Sequence, residues 1–152
     1  MKKCSIALLA LILMTGTLSA QTALEKNRDF TGAVPKKKFY RAIYQLDSND
    51  PKIIGKAIRN INNALTDPRL AGRLQIELVT FAGGTEAAMK GSQFEEDLKA
   101  LVEKGVIVAQ CSNSLHERKL TRDQIYDFFA LVPSGNGELI LRQAEGWAVV
   151  KP

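Results

Sequence analysis

Hydrophobic positions along this chain fall into two alternating periods. Phe39–Leu46 is rich in aromatic and β-branched residues and runs into Asp47-Ser48-Asn49, which predicts a strand closed by a turn. Asp50-Pro51 then supplies a helix N-cap and a first-turn proline. Ile53, Ile54, Ala57, Ile58, Ile61 and Leu65 follow at helical spacing until Asp67-Pro68 stops them. The unit repeats: Leu74–Phe81 predicts a strand, closed by Gly83-Gly84. Ser92 and Glu95 match a capping box, Phe94, Leu98, Leu101 and Val102 form an apolar stripe, and Gly105 ends the helix. Val106–Ala109 is an unbroken apolar run, the pattern of a strand covered on both faces, and it delivers the chain to Cys111. Residues 112–118 are expected to form a short helical turn. Thr121 and Gln124 match a second capping box and predict a helix through Ile125 and Phe128. A short strand at Ala130–Val132, a helix from about Gly137 to Ala144 and a strand at Trp147–Val150 complete the pattern.

Strands alternating with helices define an α/β chain, and five strands predict a mainly parallel sheet between two helix layers, a three-layer α/β/α domain over residues 39–152. Residues 21–38 show no clear period and read as an N-terminal extension. Ahead of them, Lys2-Lys3, the apolar run Ile6–Met14 and the small residues ending at Ala20 have the layout of a cleavable signal peptide over residues 1–20. A spanning helix needs roughly 20 apolar residues, about twice this run. The expected protein is therefore periplasmic or secreted, with no stable membrane insertion after cleavage.

Export changes the cysteine count. Of the two cysteines, Cys4 leaves with the signal, so Cys111 has no partner for an internal disulfide. A lone thiol in an oxidising compartment is buried, paired between chains, or used. Loss of Lys2 and Lys3 lowers the formal charge of +5 by two, to +3. That balance, with no basic stripe interleaved with aromatics, argues against nucleic acid. The one basic run, Lys36-Lys37-Lys38, reads as solvated.

In an open parallel sheet, ligands bind beyond the carboxyl ends of the strands. The segments placed there are Asp47-Ser48-Asn49, Gly83-Gly84, Cys111-Ser112-Asn113-Ser114 and Ser134-Gly135, which makes them candidate ligand-binding residues. N–H groups at a helix start lower a neighbouring thiol's pKa, and His116 and Arg118 lie close enough in sequence to assist Cys111. Cysteine is also a frequent inert core residue, and the residues alone leave both readings open. One histidine and one cysteine cannot supply a usual zinc ligand set, so no metal and no cofactor is expected. Ser112 and Ser114 lack a Ser-His-Asp arrangement, and Gly83-Gly84 lacks the lysine of a phosphate loop.

Two segments carry a family resemblance. Val106-Ile107-Val108-Ala109-Gln110-Cys111-Ser112-Asn113-Ser114-Leu115 resembles the DsrE/DsrF-like family. So does the C-terminal run Val132-Pro133-Ser134-Gly135, Glu138-Leu139-Ile140 and Gln143-Ala144-Glu145-Gly146-Trp147-Ala148. The resemblance, closer to an exported and uncharacterised branch than to the relay members, implies a five-stranded three-layer fold and homo- or hetero-oligomers. It further implies a cysteine at the end of the third strand that carries sulfur as a persulfide. Cys111 falls at the similar place and Arg118 where a basic residue is usual, but Lys119 replaces the glycine that often follows.

The expectation is an exported sulfur-relay protein working through Cys111 with a donor or acceptor protein. The alternative is a non-enzymatic ligand-binding or oligomeric assembly module with a structural Cys111. A thiol that dimerises the chain on oxidation is a third reading.

Overall fold

The expected alternation is realised as five strands in a computed structural model that describes residues 21–152. They are β1 Tyr40–Leu46, β2 Leu74–Thr80, β3 Ile107–Cys111, β4 Ala130–Val132 and β5 Ala148–Val150. All pair in parallel, in the order β4-β3-β2-β1-β5. The expected signal peptide lies outside the described residues. The chain divides into two units, Met1–Ala33 and Val34–Pro152, a boundary five residues before the one read from the sequence. Of the first unit, the described part holds one short helix, α1 Ala23–Arg28. It is opened by a Thr22–Glu25 capping box, in a segment where the sequence shows no clear period.

The strand order fixes the layers. Each step from β1 to β2, β3 and β4 moves the same way across the sheet, so right-handed crossovers stack their helices on one face. These are α2 Pro51–Thr66, α3 Thr85–Ala88, α4 Glu95–Glu103 and α5 Ser112–Glu117. The last connection returns from β4 to the opposite edge, which puts α6 Gly135–Ala144 on the other face.

The first face buries the larger core. Tyr44, Leu46, Ile76, Leu78 and Val108 of the sheet meet Ile54, Ala57, Ile58 and Ile61 of α2 and Leu98 and Leu101 of α4. Val102, expected in that stripe, is instead partly exposed at its outer edge. The second face has a small cluster of Ile43, Val79 and Trp147, joined by Phe81, Val132 and Leu139. Beside it sits a charge. Glu77, only 1% exposed in the middle of β2, faces Arg142 of α6 at 2.8 Å. Arg142 also pairs with Glu138 at 2.8 Å and lies 4.5 Å from the Trp147 ring centre.

Two helix starts differ from expectation. The Thr121–Gln124 capping box forms but opens one 3₁₀ turn, Arg122–Gln124, and no helix. Ile125 is extended and bridges to Met89, Tyr126 N–H donates to the Ala88 carbonyl, and the Arg122 guanidinium donates to the carbonyls of Ile125, Tyr126, Asp127 and Phe129. With those carbonyls occupied and Ile125, Tyr126 and Phe129 buried in the first core, the long-range contacts override the local signal. Ser92 caps no helix either: its hydroxyl accepts from Phe94 N–H, and α4 begins only at Glu95, with no side-chain cap. Among the described residues, no helix is long and apolar enough to cross a membrane.

Candidate functional site around Cys111

The strand register sets the site. Leu46 pairs with Thr80, Thr80 with Gln110, and Cys111 with Val132, so four strands end nearly flush at one edge. Cys111 is the last residue of β3 and the N-cap of α5. Its neighbour Gln110 is fully buried. Gln110 accepts from the Thr80 hydroxyl at 2.6 Å and donates to Thr85 Oγ1 and to the carbonyl of Cys111. This satisfied polar cluster on the first face fixes the backbone from which the Cys111 side chain projects to the second.

There the thiol meets a cleft of about 260 Å³. Phe81 and Ala82 come from the end of β2, Asn113, Ser114 and Glu117 from α5, and Ser134, Gly135 and Asn136 from the start of α6. Cys111 is 4% exposed. Burial pushes its thiol up, but the Ser114 hydroxyl and the N–H groups of Gly135, Ser114 and Asn113 pull it down further. The net position is below the ordinary thiol value. The start of α6, capped by Ser134 accepting from Gly137 N–H, adds the positive end of a helix dipole.

Arg118 acts one step away from the thiol. It donates to the Ala82 carbonyl at 3.2 Å and pairs with Glu86. Ala82 sits at φ +47°, where a side chain is disfavoured, and its N–H donates to Ser114 Oγ at 2.9 Å. Arg118 and Ser114 thus hold both polar groups of a strained residue that lines the cleft. Gly135 belongs to the same wall: a Cβ there would lie 2.8 Å from the Phe81 ring.

The other residues expected at this edge are placed elsewhere. Gly83 and Gly84 are filled by backbone, since a Cβ on Gly84 would lie 2.0 Å from the Leu46 carbonyl oxygen and one on Gly83 2.9 Å from Asn49 N. Their role in the structure is the close approach of β2's turn to β1. Asp47 pairs with Lys151 at 3.0 Å; burial raises its carboxyl, while Lys151 and Gln45 bring it below the usual range. Ser48 accepts from Asp50 N–H, and Asn49 lines a separate groove with Glu86, Ser92 and Phe94. Ser112 and His116 do not line the cleft, and His116 is exposed on α5. Phe81, Ala82, Glu117 and Asn136 of the lining are not among the residues that the sequence points to, whereas Ser114 is. Only Asn136, next to Ser134-Gly135, carried a local signal. Among the described residues, no group of three His, Cys, Asp or Glu side chains could hold a metal.

A three-layer α/β/α domain with a buried thiol at the carboxyl edge of its sheet, beside a cleft, is the class these features define. The chain belongs to the DsrE/DsrF-like family, whose pattern matches residues 42–152. A solved structure, the protein of unknown function MTH1491 from Methanobacterium thermoautotrophicum, is similar at a TM-score of 0.70 and 29% identity, over 74% of this chain and 99% of that one. The conserved protein of unknown function BT1422 from Bacteroides thetaiotaomicron shares the fold at a TM-score of 0.58 and 8% identity, over 74% of this chain and 94% of that one. No curated protein matches the sequence.

Proposed function

We propose that this protein is an exported sulfur carrier that holds a sulfane sulfur on Cys111 as a persulfide. The observation that carries the reading is a thiol at a strand end that opens on a cleft built from the starts of α5 and α6, its titration drawn below the ordinary value by the hydroxyl and N–H groups beside it, in a family associated with sulfur relay. A thiolate is the nucleophile this chemistry requires.

The step balances without an added reagent. The Cys111 thiolate attacks the outer sulfur of a donor persulfide, R–S–SH. A Cys111 S–S bond forms, the donor S–S bond breaks, the proton stays on the transferred sulfur, and R–S⁻ leaves. The Cys111 thiolate's electron pair makes the new bond and R–S⁻ leaves with the pair of the old one, so the oxidation of the Cys111 sulfur is matched by the reduction of the donor sulfur and no outside oxidant is needed. The N–H groups of Asn113, Ser114 and Gly135 serve the negative charge before transfer and on the persulfide after it. Donor and acceptor are proteins in this reading, and the carrier works as a homo-oligomer.

One observation favours a second reading: Cys111 is 4% exposed, as a structural cysteine in a ligand-binding module would be. The intact mass of protein purified from the exported fraction separates the two. Added sulfur that is lost on reduction and absent from Cys111→Ser supports the carrier. An unmodified mass, with native Cys111 resisting alkylation until the protein unfolds, overturns it.

A further inference from the structure

The charges around the cleft are unevenly distributed. Asn113, Ser134 and Asn136 are neutral, and the one formal charge on the lining besides a Cys111 thiolate is the Glu117 carboxylate. Glu117 ends α5, is exposed, and has no ion-pair partner among the described residues. Arg118, next to Glu117 in sequence, is committed to Glu86 and to the Ala82 carbonyl, so that pair cancels. His116 and Lys119, on either side in sequence, do not line the cleft.

We infer that Glu117 is a specificity-determining residue. It admits a persulfide borne beside a positive charge, on a basic protein segment, and repels free sulfur oxyanions such as thiosulfate. This rests on the sulfur-carrier reading of Cys111. An incoming oxyanion meets two negative charges, the thiolate and Glu117, with no cation on the lining to offset them. A lysine or arginine flanking the donor sulfur meets attraction from both. A cleft of about 260 Å³ takes a persulfide and its flanking carbons, with the charge left at the rim beside Glu117.

The test uses two small thiol reagents of like size and opposite charge, 2-aminoethyl and 2-sulfonatoethyl methanethiosulfonate. Each forms a mixed disulfide with a thiolate and releases methanesulfinate. Their rates on native Cys111 are measured at low salt and normalised to free 2-mercaptoethanol. The wild type should favour the cationic reagent by about three- to tenfold, a preference that shrinks as salt is added. Glu117→Gln should bring the ratio near one, and Glu117→Lys should invert it. If Cys111 reacts but Glu117→Gln leaves the ratio unchanged, the charge filter is wrong and the sulfur-carrier reading stands. If neither reagent modifies native Cys111, the carrier reading fails and takes the filter with it.

Discussion

The two faces of the sheet are stabilised by different physics. Against α2 and α4 the first face buries a continuous apolar core, and its polar atoms form a neutral, satisfied trio of Thr80, Gln110 and Thr85. The second face has one helix, a small apolar cluster, and a buried carboxylate held by Arg142. Cys111 projects to this second face, and a helix held there by a few charges supplies one of its N–H donors. Stability is concentrated on one side of the sheet and thiol chemistry on the other, so damage to each should be separable.

The largest expected effect is on the first face. Leu78 is fully buried in the central strand, and Leu78→Ala should cost about 3–4 kcal/mol in urea unfolding. The alkylation profile of native Cys111 should be unchanged, because Leu78 belongs to the first-face core while the Cys111 side chain projects to the other face.

Arg142→Ala tests the second face. It leaves Glu77 buried without its partner and should cost about 3 kcal/mol, toward the low end for a broken buried pair because Arg142 is 25% exposed. Glu77→Leu combined with Arg142→Leu should recover most of that loss. The pH dependence has a definite sign. Burial, with Glu138 and Glu145, raises the Glu77 carboxyl above its ordinary 4.5 against the pull of Arg142. The folded protein therefore holds that proton more tightly than the unfolded chain. Stability from this group is greatest in acid and falls as pH rises from the ordinary value through the raised one. Removing Arg142 enlarges the penalty on the ionised form, so the Arg142→Ala deficit should be larger near about pH 8 than near about pH 4.5. The same variant loosens α6 and should raise the pH at which Cys111 alkylation half-saturates, which Leu78→Ala should not do.

A smaller change sharpens the comparison at the thiol itself. Ser114→Ala removes a donor to Cys111 and the acceptor of Ala82 N–H. The pH midpoint for iodoacetamide labelling should move up toward the ordinary 9.0, with a stability loss of about 1 kcal/mol. A thiol held low contributes stability above its unfolded value and loses it as pH falls through the folded value. The Ser114→Ala deficit should accordingly grow with rising pH. An unmoved midpoint would show that Ser114 supports the loop and not the thiolate.

What could be read from the sequence follows the range of the interactions. The strand-helix alternation and the placement of Cys111 at a strand end depend on local period, and both are found in the structure. The helix expected after Thr121 fails because Met89 and Ala88, far back in the chain, hold Ile125 and Tyr126 extended, while the neighbouring Arg122 takes up the carbonyls that follow it. The cleft combines three connections, so Phe81, Ala82 and Glu117 carry no mark of their role in the linear order. Glu77 does leave a trace, as the lone charge in Leu74–Thr80.

The smallest expected effect concerns Lys119, which stands where the family resemblance leads one to expect glycine. The helices α4, α5 and α6 end alike. Val106 N–H reaches back to the Leu101 carbonyl, Leu120 to Leu115 and Trp147 to Arg142, each at 2.9–3.0 Å. The residue just before each takes the left-handed backbone: Gly105 at φ +86°, Gly146 at +83° and Lys119 at +56°. This is the Schellman ending, in which glycine is favoured because a Cβ costs about 1–2 kcal/mol in that conformation. The backbone ending of α5 is by itself reason enough for glycine at this position, with no sulfur chemistry needed. Lys119→Gly should relieve the strain, less what the freer unfolded chain takes back, for a net gain of about 0.5–1 kcal/mol. Thermal unfolding should shift up by about 2–4 °C, and Cys111 labelling should stay the same. A loss of stability instead would mean that the Lys119 side chain makes a contribution larger than the strain it brings.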